Sequence, residues 1–533
     1  MHKVDVDIVV VGAGFAGLYM IHRARGEGLS VRVFEAGTDV GGTWYWNRYP
    51  GARCDVESVE YSYSFDDDLQ QEWEWTEKYA AQPEILNYAR HVADRFDLRR
   101  DITFSTRVVS ALFDDQSSTW TVTTDSGETI RSRFVVMATG CLSSANVPAI
   151  DGAESFLGDM FHTGQWPHDG VDFGGRRVGL IGTGSSAIQS IPIIAEQAEH
   201  LTVFQRTPNY SVPARNAPID PDYVRHVKSN YSELREANRQ QQAALGANFR
   251  RSGESALSVD DATRMAEFER RWEEGGFAFM SSYNDFLINQ DSNDLVAEFV
   301  RDKIRSIVRD PATAEKLLPR QVIGCKRLCL DTGYYDTFNR DNVTLVDISD
   351  TPIERITENG VLVDGVEHQI DALVYATGFD AMTGSILKID IRGRDGLSLR
   401  DAWAAGPVTY LGLSTSGFPN LFMVSGPGSP SVLTNMIVSI EQHVEWICDA
   451  IAVATRQGVA RMEAEPQAQD DWVRHVNAIA DVTLYPSCNS WYLGANVPGK
   501  PRVFMPLLGF PAYAARCRQV AEAGYPGFIL SAS

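Results

Sequence analysis

Residues 7–17 read Asp-Ile-Val-Val-Val-Gly-Ala-Gly-Phe-Ala-Gly, a β-branched run that ends in a G-x-G-x-x-G turn. Leu18, Ile21 and Ala24 then recur at helical spacing, so the stretch predicts strand, tight turn and helix in that order. Each glycine has its own task. Gly12 permits the turn, Gly14 lets backbone approach a pyrophosphate, and Gly17 lets the helix pack on the strand. The helix N-terminus adds unpaired N–H donors that suit an anion. A second strand over 30–34 ends in Glu35, near the roughly 20-residue offset at which a carboxylate meets ribose hydroxyls. The fold class that follows is α/β, with a dinucleotide-binding unit at the start of the chain.

The pattern returns at Arg177-Val178-Gly179-Leu180-Ile181, followed by Gly182-Thr183-Gly184-Ser185-Ser186-Ala187 and a strand over 201–204. Its end differs, because Gln205-Arg206-Thr207 stands where the first copy has Glu35. A cation without a neighbouring carboxylate suits a 2′-phosphate better than a free hydroxyl, so NADPH is favoured over NADH. A solvated surface charge is the plain alternative for Arg206. Both copies close alike. Residues 119–124, a turn at Asp125-Ser126-Gly127 and a strand into Ala138-Thr139-Gly140 are matched by 361–363, Asp364-Gly365 and Ala376-Thr377-Gly378. Two dinucleotide sites with different ribose chemistry imply hydride transfer from a diffusible nicotinamide to a tightly held flavin, FAD. The residues alone leave reductase, hydroxylase and monooxygenase open.

At 533 residues the chain exceeds one ordinary core, and a prior of roughly 100–200 residues per domain gives two to four domains. The motif order suggests an FAD-binding domain in two parts, 1–140 and 380–533, around an NADP-binding domain in two parts, 141–219 and 321–379. Residues 220–320, rich in Glu, Arg, Gln and Ala with Tyr223, Val227 and Tyr231 at helical spacing, read as an inserted helical subdomain. Residues 41–65 are aromatic and Gly-rich without a clear period, as ligand-surrounding loops are, although Trp44 and Trp46 also suit core packing. The part beyond Asp380 joins loop signals such as Gly426-Pro427-Gly428-Ser429-Pro430 to a helical run over 441–454, suited to walling the flavin.

Hydrophobic residues make up 44% and charged residues 22%, as in soluble globular proteins. No apolar run approaches the roughly 18 residues that span a bilayer, and the start runs into a strand without a signal-peptide pattern, so a cytoplasmic enzyme is expected. The net charge of -22 opposes nucleic acid and anionic membrane surfaces as partners, leaving local donors to hold any anionic cofactor. The seven cysteines, Cys54, Cys141, Cys325, Cys329, Cys448, Cys488 and Cys517, are scattered, odd in number and without a C-x-x-C pair. Reduced thiols fit them, and the missing C-x-x-C counts against a disulfide reductase. No metal is expected, and the chain reads as a monomer or weak homo-oligomer.

Just before the second copy stands Phe156-Leu157-Gly158-Asp159-Met160-Phe161-His162-Thr163-Gly164-Gln165-Trp166-Pro167, or F-x-G-x-x-x-H-x-x-x-W-P. This resembles the fingerprint of the Baeyer–Villiger monooxygenases, in that family's setting between two nucleotide folds. Flavin-containing monooxygenases carry Phe or Tyr in place of Trp166. The resemblance also covers GGTWYWNRYPGARCD (41–55), RVGLIGTGSSAIQ (177–189), FQRTPNY (204–210), CKRLCLDTGYY (325–335), ATGFDA (376–381) and SWYLGANVPGKPR (490–502). It is nearest to the aryl-ketone and steroid branches, then to the cyclic-ketone branch.

The resemblance implies two Rossmann-like domains, for FAD and NADP, and conversion of aryl, cyclic or steroid-like ketones to esters or lactones with O2 through a C4a-peroxyflavin. Arg327 matches the catalytic arginine and Asp55 the carboxylate that orients it. An anionic oxygen nucleophile needs a fixed cation and exclusion of water, and arginine supplies charge without readily giving up a proton. The same resemblance places Gly12, Gly14, Gly17, Glu35, Thr43, Trp44, Asp55, Tyr61, Thr377 and Gly378 among the cofactor-binding residues. It adds Gly182, Thr183, Gly184, Ser185, Ser186 and Gln189, gives Arg206, Thr207 and Lys326 to the 2′-phosphate, and has Trp491 retain NADP+ by a hydrogen bond. Ser431, Val432 and Leu433 align with the ketone pocket. His162 couples the inter-domain linker to the site or is a satisfied structural histidine. Two departures bear on substrate preference: Leu507-Leu508-Gly509-Phe510-Pro511 where relatives have paired glycines, and Cys141 where a polar amide stands. A flavin-containing N- or S-oxygenase, an uncoupled NADPH oxidase and a non-catalytic flavoprotein are the competing readings.

Overall fold

The β-branched run at the start of the chain becomes the centre of a sheet because neighbours cover both its edges and both its faces. In the computed structural model, which describes residues 4–249 and 251–532, Val6–Val11 lies parallel to Val31–Phe34 on one side and Thr129–Met137 on the other. Ile8, Val9 and Val10 are fully buried, as a parallel strand covered on both faces requires. The eight-stranded sheet runs Asp390–Arg392, Val108–Asp114, Thr119–Thr124, Thr129–Met137, Val6–Val11, Val31–Phe34, Ile102–Thr103, with Leu421–Met423 also pairing on Thr129–Met137. Strands from both ends of the chain thus share one sheet.

A second sheet of five parallel strands has the order Val343–Asp347, His200–Gln205, Arg177–Ile181, Ala372–Tyr375, Asp159–His162. It repeats the first at its centre: a Gly-ended strand, then a helix, then a parallel neighbour. The two turns are built alike. Gly12 has φ +104°, and a Cβ there would stand 2.6 Å from the Ala138 carbonyl oxygen. Gly182 has φ +123°, and its Cβ would stand 2.4 Å from the Ala376 oxygen. The alanine of each Ala-Thr-Gly therefore presses its carbonyl on the first glycine of its own phosphate turn, which explains why the two motifs recur as a pair.

Between the units lie the helices Pro221–Ser229, Tyr231–Arg239, Asp261–Glu274, Gln290–Ile307 and Pro311–Leu317. Asp220, Asp260, Asn289 and Asp310 cap four of them by accepting backbone N–H bonds. Their apolar faces divide between two cores. Val227, Tyr231 and Leu245 join the core of the first unit, whereas Phe268, Trp272, Phe299 and Val300 join that of the second. The long helix Met436–Arg456 lies against Phe15–Gly26, with Tyr19 donating to Glu445 at 2.9 Å, and so completes the first unit from the far end of the sequence. Among the described residues, no helix is long and apolar enough to cross a membrane.

The thiols are not all free. Cys325 and Cys488 form a disulfide across 163 positions with their Cα atoms 6.2 Å apart, correcting the expectation of seven reduced cysteines. An odd count and wide scatter carry no information about which distant cysteines the fold brings together. The other five are free and buried.

Candidate active site

Arg327 and Asp55 lie 272 positions apart in sequence and meet in a two-pronged ion pair. Arg327 donates from Nε to Asp55 Oδ2 at 2.5 Å and from Nη2 to Oδ1 at 2.8 Å. Its remaining terminal nitrogen, Nη1, donates to the Val432 carbonyl at 2.7 Å, and the guanidinium sits 5.2 Å from the centre of the Phe277 ring. Burial works to lower the pKa of Arg327, but the adjacent Asp55 carboxylate outweighs it and raises the pKa. The group is a fixed cation held on three sides.

Asp55 is placed there by the loop before it. Gly51 has φ +81°, and a Cβ would come within 2.2 Å of the Gln189 carbonyl oxygen, so this loop lies directly on the helix Ser185–Gln197 of the second unit. Gln189 holds it by accepting from the Tyr49 hydroxyl at 2.8 Å and donating to the Arg53 carbonyl at 3.1 Å. Arg53 is tied to Glu77 at 2.6 Å. The pair thus forms where the two nucleotide units touch.

The phosphate turns are open to an anion. Helices Phe15–Gly26 and Ser185–Gln197 begin after Gly14 and Gly184, and neither N-cap makes a side-chain hydrogen bond, in contrast to the Asp- and Asn-capped helices of the insertion. A Cβ at Gly184 would meet nothing within 4 Å. Glu35 is buried, and its carboxylate accepts from Ala13 N and Gly37 N, each at 2.7 Å. Burial pushes its pKa up against these donors. The corresponding end of the second unit is basic: Arg206 is exposed, Lys326 is half-buried, and neither forms an ion pair among the described residues. Burial and then the nearby Arg206 charge lower the Lys326 pKa. Two cations facing one another without a carboxylate fit the phosphate that distinguishes NADPH, and the uncapped glycine turns fit the diphosphates of both cofactors.

Around the pair, Trp44 is buried and donates to the Tyr61 hydroxyl at 3.1 Å, while Thr43 is exposed at the start of the same short helix. Thr183 Oγ1 donates to the Thr207 carbonyl at 2.7 Å. Ser431, Val432 and Leu433 form a short turn, with Ser431 Oγ 3.1 Å from Cys141 Sγ. Trp491 is partly exposed on the turn 491–493. The fingerprint residues pack instead into the second unit. Trp166 contacts Phe161 and Phe173, Phe156 joins the apolar cluster under the sheet, Pro167 follows them, and a Cβ at Gly158 would stand 2.4 Å from the Asp371 oxygen. His162 accepts from Gly164 N at 2.9 Å and faces Thr377 Oγ1 at 3.4 Å. Burial lowers its pKa, which suits a neutral spacer.

Comparison with known proteins places this geometry. The sequence profile of the flavin-binding monooxygenase-like family matches residues 5–216. A Baeyer–Villiger monooxygenase of Pseudooceanicola batsensis is 44% identical over 98% of this chain and 96% of its own. The chain belongs to the Baeyer–Villiger monooxygenase family. A phenazine N-monooxygenase of Lysobacter antibioticus is also 44% identical, over 99% of this chain and 97% of its own. The solved structure of oxidised steroid monooxygenase bound to NADP superposes with a TM-score of 0.94 at 54% identity, covering 99% of this chain and 100% of that one.

In this member of the family, sequence reasoning missed several contacts. The Val432 carbonyl and the Phe277 ring complete the Arg327 site, yet a main-chain acceptor has no sequence signal and Phe277 lay in a segment read as an inserted helical subdomain. Asn146 and Asn496 were also missed. Asn146 N donates to Gly378 O at 2.9 Å, Asn146 Nδ2 to Asn496 O at 3.1 Å, and Asn496 Nδ2 to Phe379 O at 2.6 Å. With Thr377 Oγ1 donating to Asn146 O at 2.6 Å, this network joins the linker, the Ala-Thr-Gly turn and the C-terminal loop.

Proposed function

We propose that this chain is an NADPH- and FAD-dependent Baeyer–Villiger monooxygenase that converts ketones to esters or lactones, and that Arg327 and Asp55 are its catalytic pair. The observation that carries the proposal is the bidentate ion pair at the contact between the two nucleotide units, where a group from each can act on a shared reactant. In this reading 1–140 with 380–533 hold FAD, 141–219 with 321–379 hold NADP, and 220–320 covers the junction. Gly12, Gly14, Gly17 and Glu35 take the FAD diphosphate and ribose, and Thr43, Trp44, Asp55 and Tyr61 border its ring system. Gly182, Thr183, Gly184, Ser185, Ser186 and Gln189 take the NADPH diphosphate, Arg206, Thr207 and Lys326 its 2′-phosphate, and Thr377, Gly378 and Trp491 close over it.

When bound, FAD supplies a two-electron centre that accepts hydride from NADPH and reacts with O2. The chain controls charge and position around that chemistry. Arg327 directs a permanent positive charge at the ketone oxygen, on which negative charge grows as a nucleophilic oxygen adds to the carbonyl carbon. Asp55 fixes the plane of the guanidinium and, by raising its pKa, opposes proton donation from it. The Ser431–Val432–Leu433 turn places the pocket wall and anchors Nη1 through the Val432 carbonyl. This arrangement tunes which ketone fits without altering the charge control.

Replacing Arg327 by Ala is the decisive experiment. Stopped-flow absorbance should show NADPH still reducing the flavin, while ester formation falls by about 10²–10³-fold, the magnitude of removing one preorganised electrostatic donor. An unchanged ester yield removes Arg327 from the mechanism. A second reading is favoured by one observation, the 44% identity to a phenazine N-monooxygenase: oxidation of a heteroaromatic nitrogen. Product analysis under 18O2 with a ketone and an N-heterocycle in competition separates the two, and label in the N-oxide but not in an ester selects the second.

A further inference from the structure

The disulfide joins two segments that the proposed function uses separately. Cys325 directly precedes Lys326 and Arg327, and Cys488 lies three residues before Trp491. Cys325 is fully buried and Cys488 nearly so, at 7% exposure. The loop 488–502 is held in its first half by the buried Tyr492 and Leu493, with Met505 N donating to the Tyr492 carbonyl at 3.1 Å, and in its second half by polar anchors. Asn496 bonds to Phe379 and Asn146, and Lys500 Nζ reaches Asp380 at 2.5 Å and the Ala381 carbonyl at 2.7 Å. Its first half, which carries Trp491, makes no hydrogen bond to residues 321–331 among the described residues. Among the described residues the disulfide is the one covalent or hydrogen-bonded tie between the first half of the loop and the Arg327 segment, while Tyr492 and Leu493 pack into the core beside Trp491.

We propose that the Cys325–Cys488 pair is a positioning element whose oxidation state sets how long the oxidised nicotinamide is held. The inference rests on the assignment of Trp491 to NADP+ given above. Closed, the bond confines the first half of the loop, so that ordering it over the cofactor costs less conformational entropy. Opened, residues 488–491 lose that tie and move more freely about the buried Tyr492 and Leu493, while the Asn496 and Lys500 anchors keep the second half in place. The chemistry is balanced in both directions. Two equivalents of a thiol reductant cleave the bond, giving two cysteine thiols and one external disulfide. Hydrogen peroxide, the product when NADPH oxidation is not coupled to substrate, re-forms it: the two thiols give up two electrons and two protons, and the peroxide leaves as two waters. Peroxide formed in uncoupled turnover would thus tighten the loop that holds NADP+.

The test uses the FAD-loaded enzyme prepared with dithiothreitol and, separately, with stoichiometric hydrogen peroxide. Differential alkylation and peptide mapping report Cys325 and Cys488, amide exchange reports 488–502, and titration gives the NADP+ dissociation constant. In the oxidised preparation the two peptides should be linked, amide exchange over 489–494 slower and NADP+ bound about tenfold tighter, a factor worth about 1.4 kcal/mol. Cys488→Ser should behave as the reduced enzyme under both treatments. Equal exchange and equal NADP+ affinity in the two preparations would overturn the proposal, as would two free thiols after peroxide treatment. Slower exchange with no NADP+ binding in either preparation would support the tether and count instead against the cofactor assignment.

Discussion

The two nucleotide units start from the same turn and finish with opposite electrostatics. In both, a buried strand ends in a glycine at positive φ whose missing side chain leaves room for an alanine carbonyl, and an uncapped helix follows. The first unit then closes with Glu35, buried and braced by two backbone donors, Ala13 N and Gly37 N. The second closes with Arg206 and Lys326, which have no carboxylate partner among the described residues. A carboxylate braced by the backbone, with acceptor capacity left on each oxygen, is part of the fold and suits a cofactor that stays. Unsatisfied cations await a charge from outside and suit one that comes and goes. On the proposed assignment, the shared element builds the site and the element that differs sets its occupant.

Removing the shared element should have the largest effect. Gly12→Ala and Gly182→Ala each drive a Cβ to within 2.6 Å or less of a carbonyl oxygen at a φ that L-residues avoid. The Gly12→Ala protein is expected to purify without flavin colour. The Gly182→Ala protein should keep its FAD yet lose NADPH-driven flavin bleaching by more than about 100-fold, while dithionite still bleaches it. If both variants lost FAD equally, the units would not be separable.

Replacing the elements that differ should produce smaller, unlike effects. Glu35→Gln leaves a buried backbone donor facing an amide NH2, at a cost of about 1–3 kcal/mol. FAD affinity should drop by roughly 10–100-fold, and the melting temperature should fall with it, because the carboxylate also braces the turn. Arg206→Ala removes an exposed charge. It should raise the KM for NADPH by about tenfold, leave that for NADH unchanged and leave the melting temperature in place. A drop in thermal stability for Arg206→Ala would show that this end, too, is structural.

The comparison also marks how far the sequence can be read. Everything fixed by local backbone chemistry was legible: the paired Gly turns, the strands they end, and the acidic or basic residue at the next strand. The Arg327–Asp55 contact was legible only through resemblance, since 272 intervening residues carry no local signal of it. Three of the features that escaped show why. The Val432 carbonyl is main chain and identical in every residue type. The Cys325–Cys488 bond depends on the tertiary path of two distant loops. The insertion read as one helical subdomain, but its apolar faces serve two different cores, and periodicity tells which face is buried without telling against what.

The finest test of the contrast is titration of the cationic end. Lys326 begins from a pKa below the ordinary 10.5, through burial and then Arg206. With a lowered folded value, the unfolded chain holds that proton more tightly, so this group makes the cofactor-free protein gain stability as pH rises through the folded value. A bound 2′-phosphate favours the charged amine and reverses the shift. Between the two values binding therefore takes up a proton, and NADP+ affinity should fall with rising pH by at most about tenfold per unit. NAD+, lacking the phosphate, should show no such slope, and Lys326→Arg should flatten it because arginine stays charged throughout. Parallel pH profiles for NADP+ and NAD+ would remove Lys326 from the phosphate site and leave Arg206 and Thr207 to read that group.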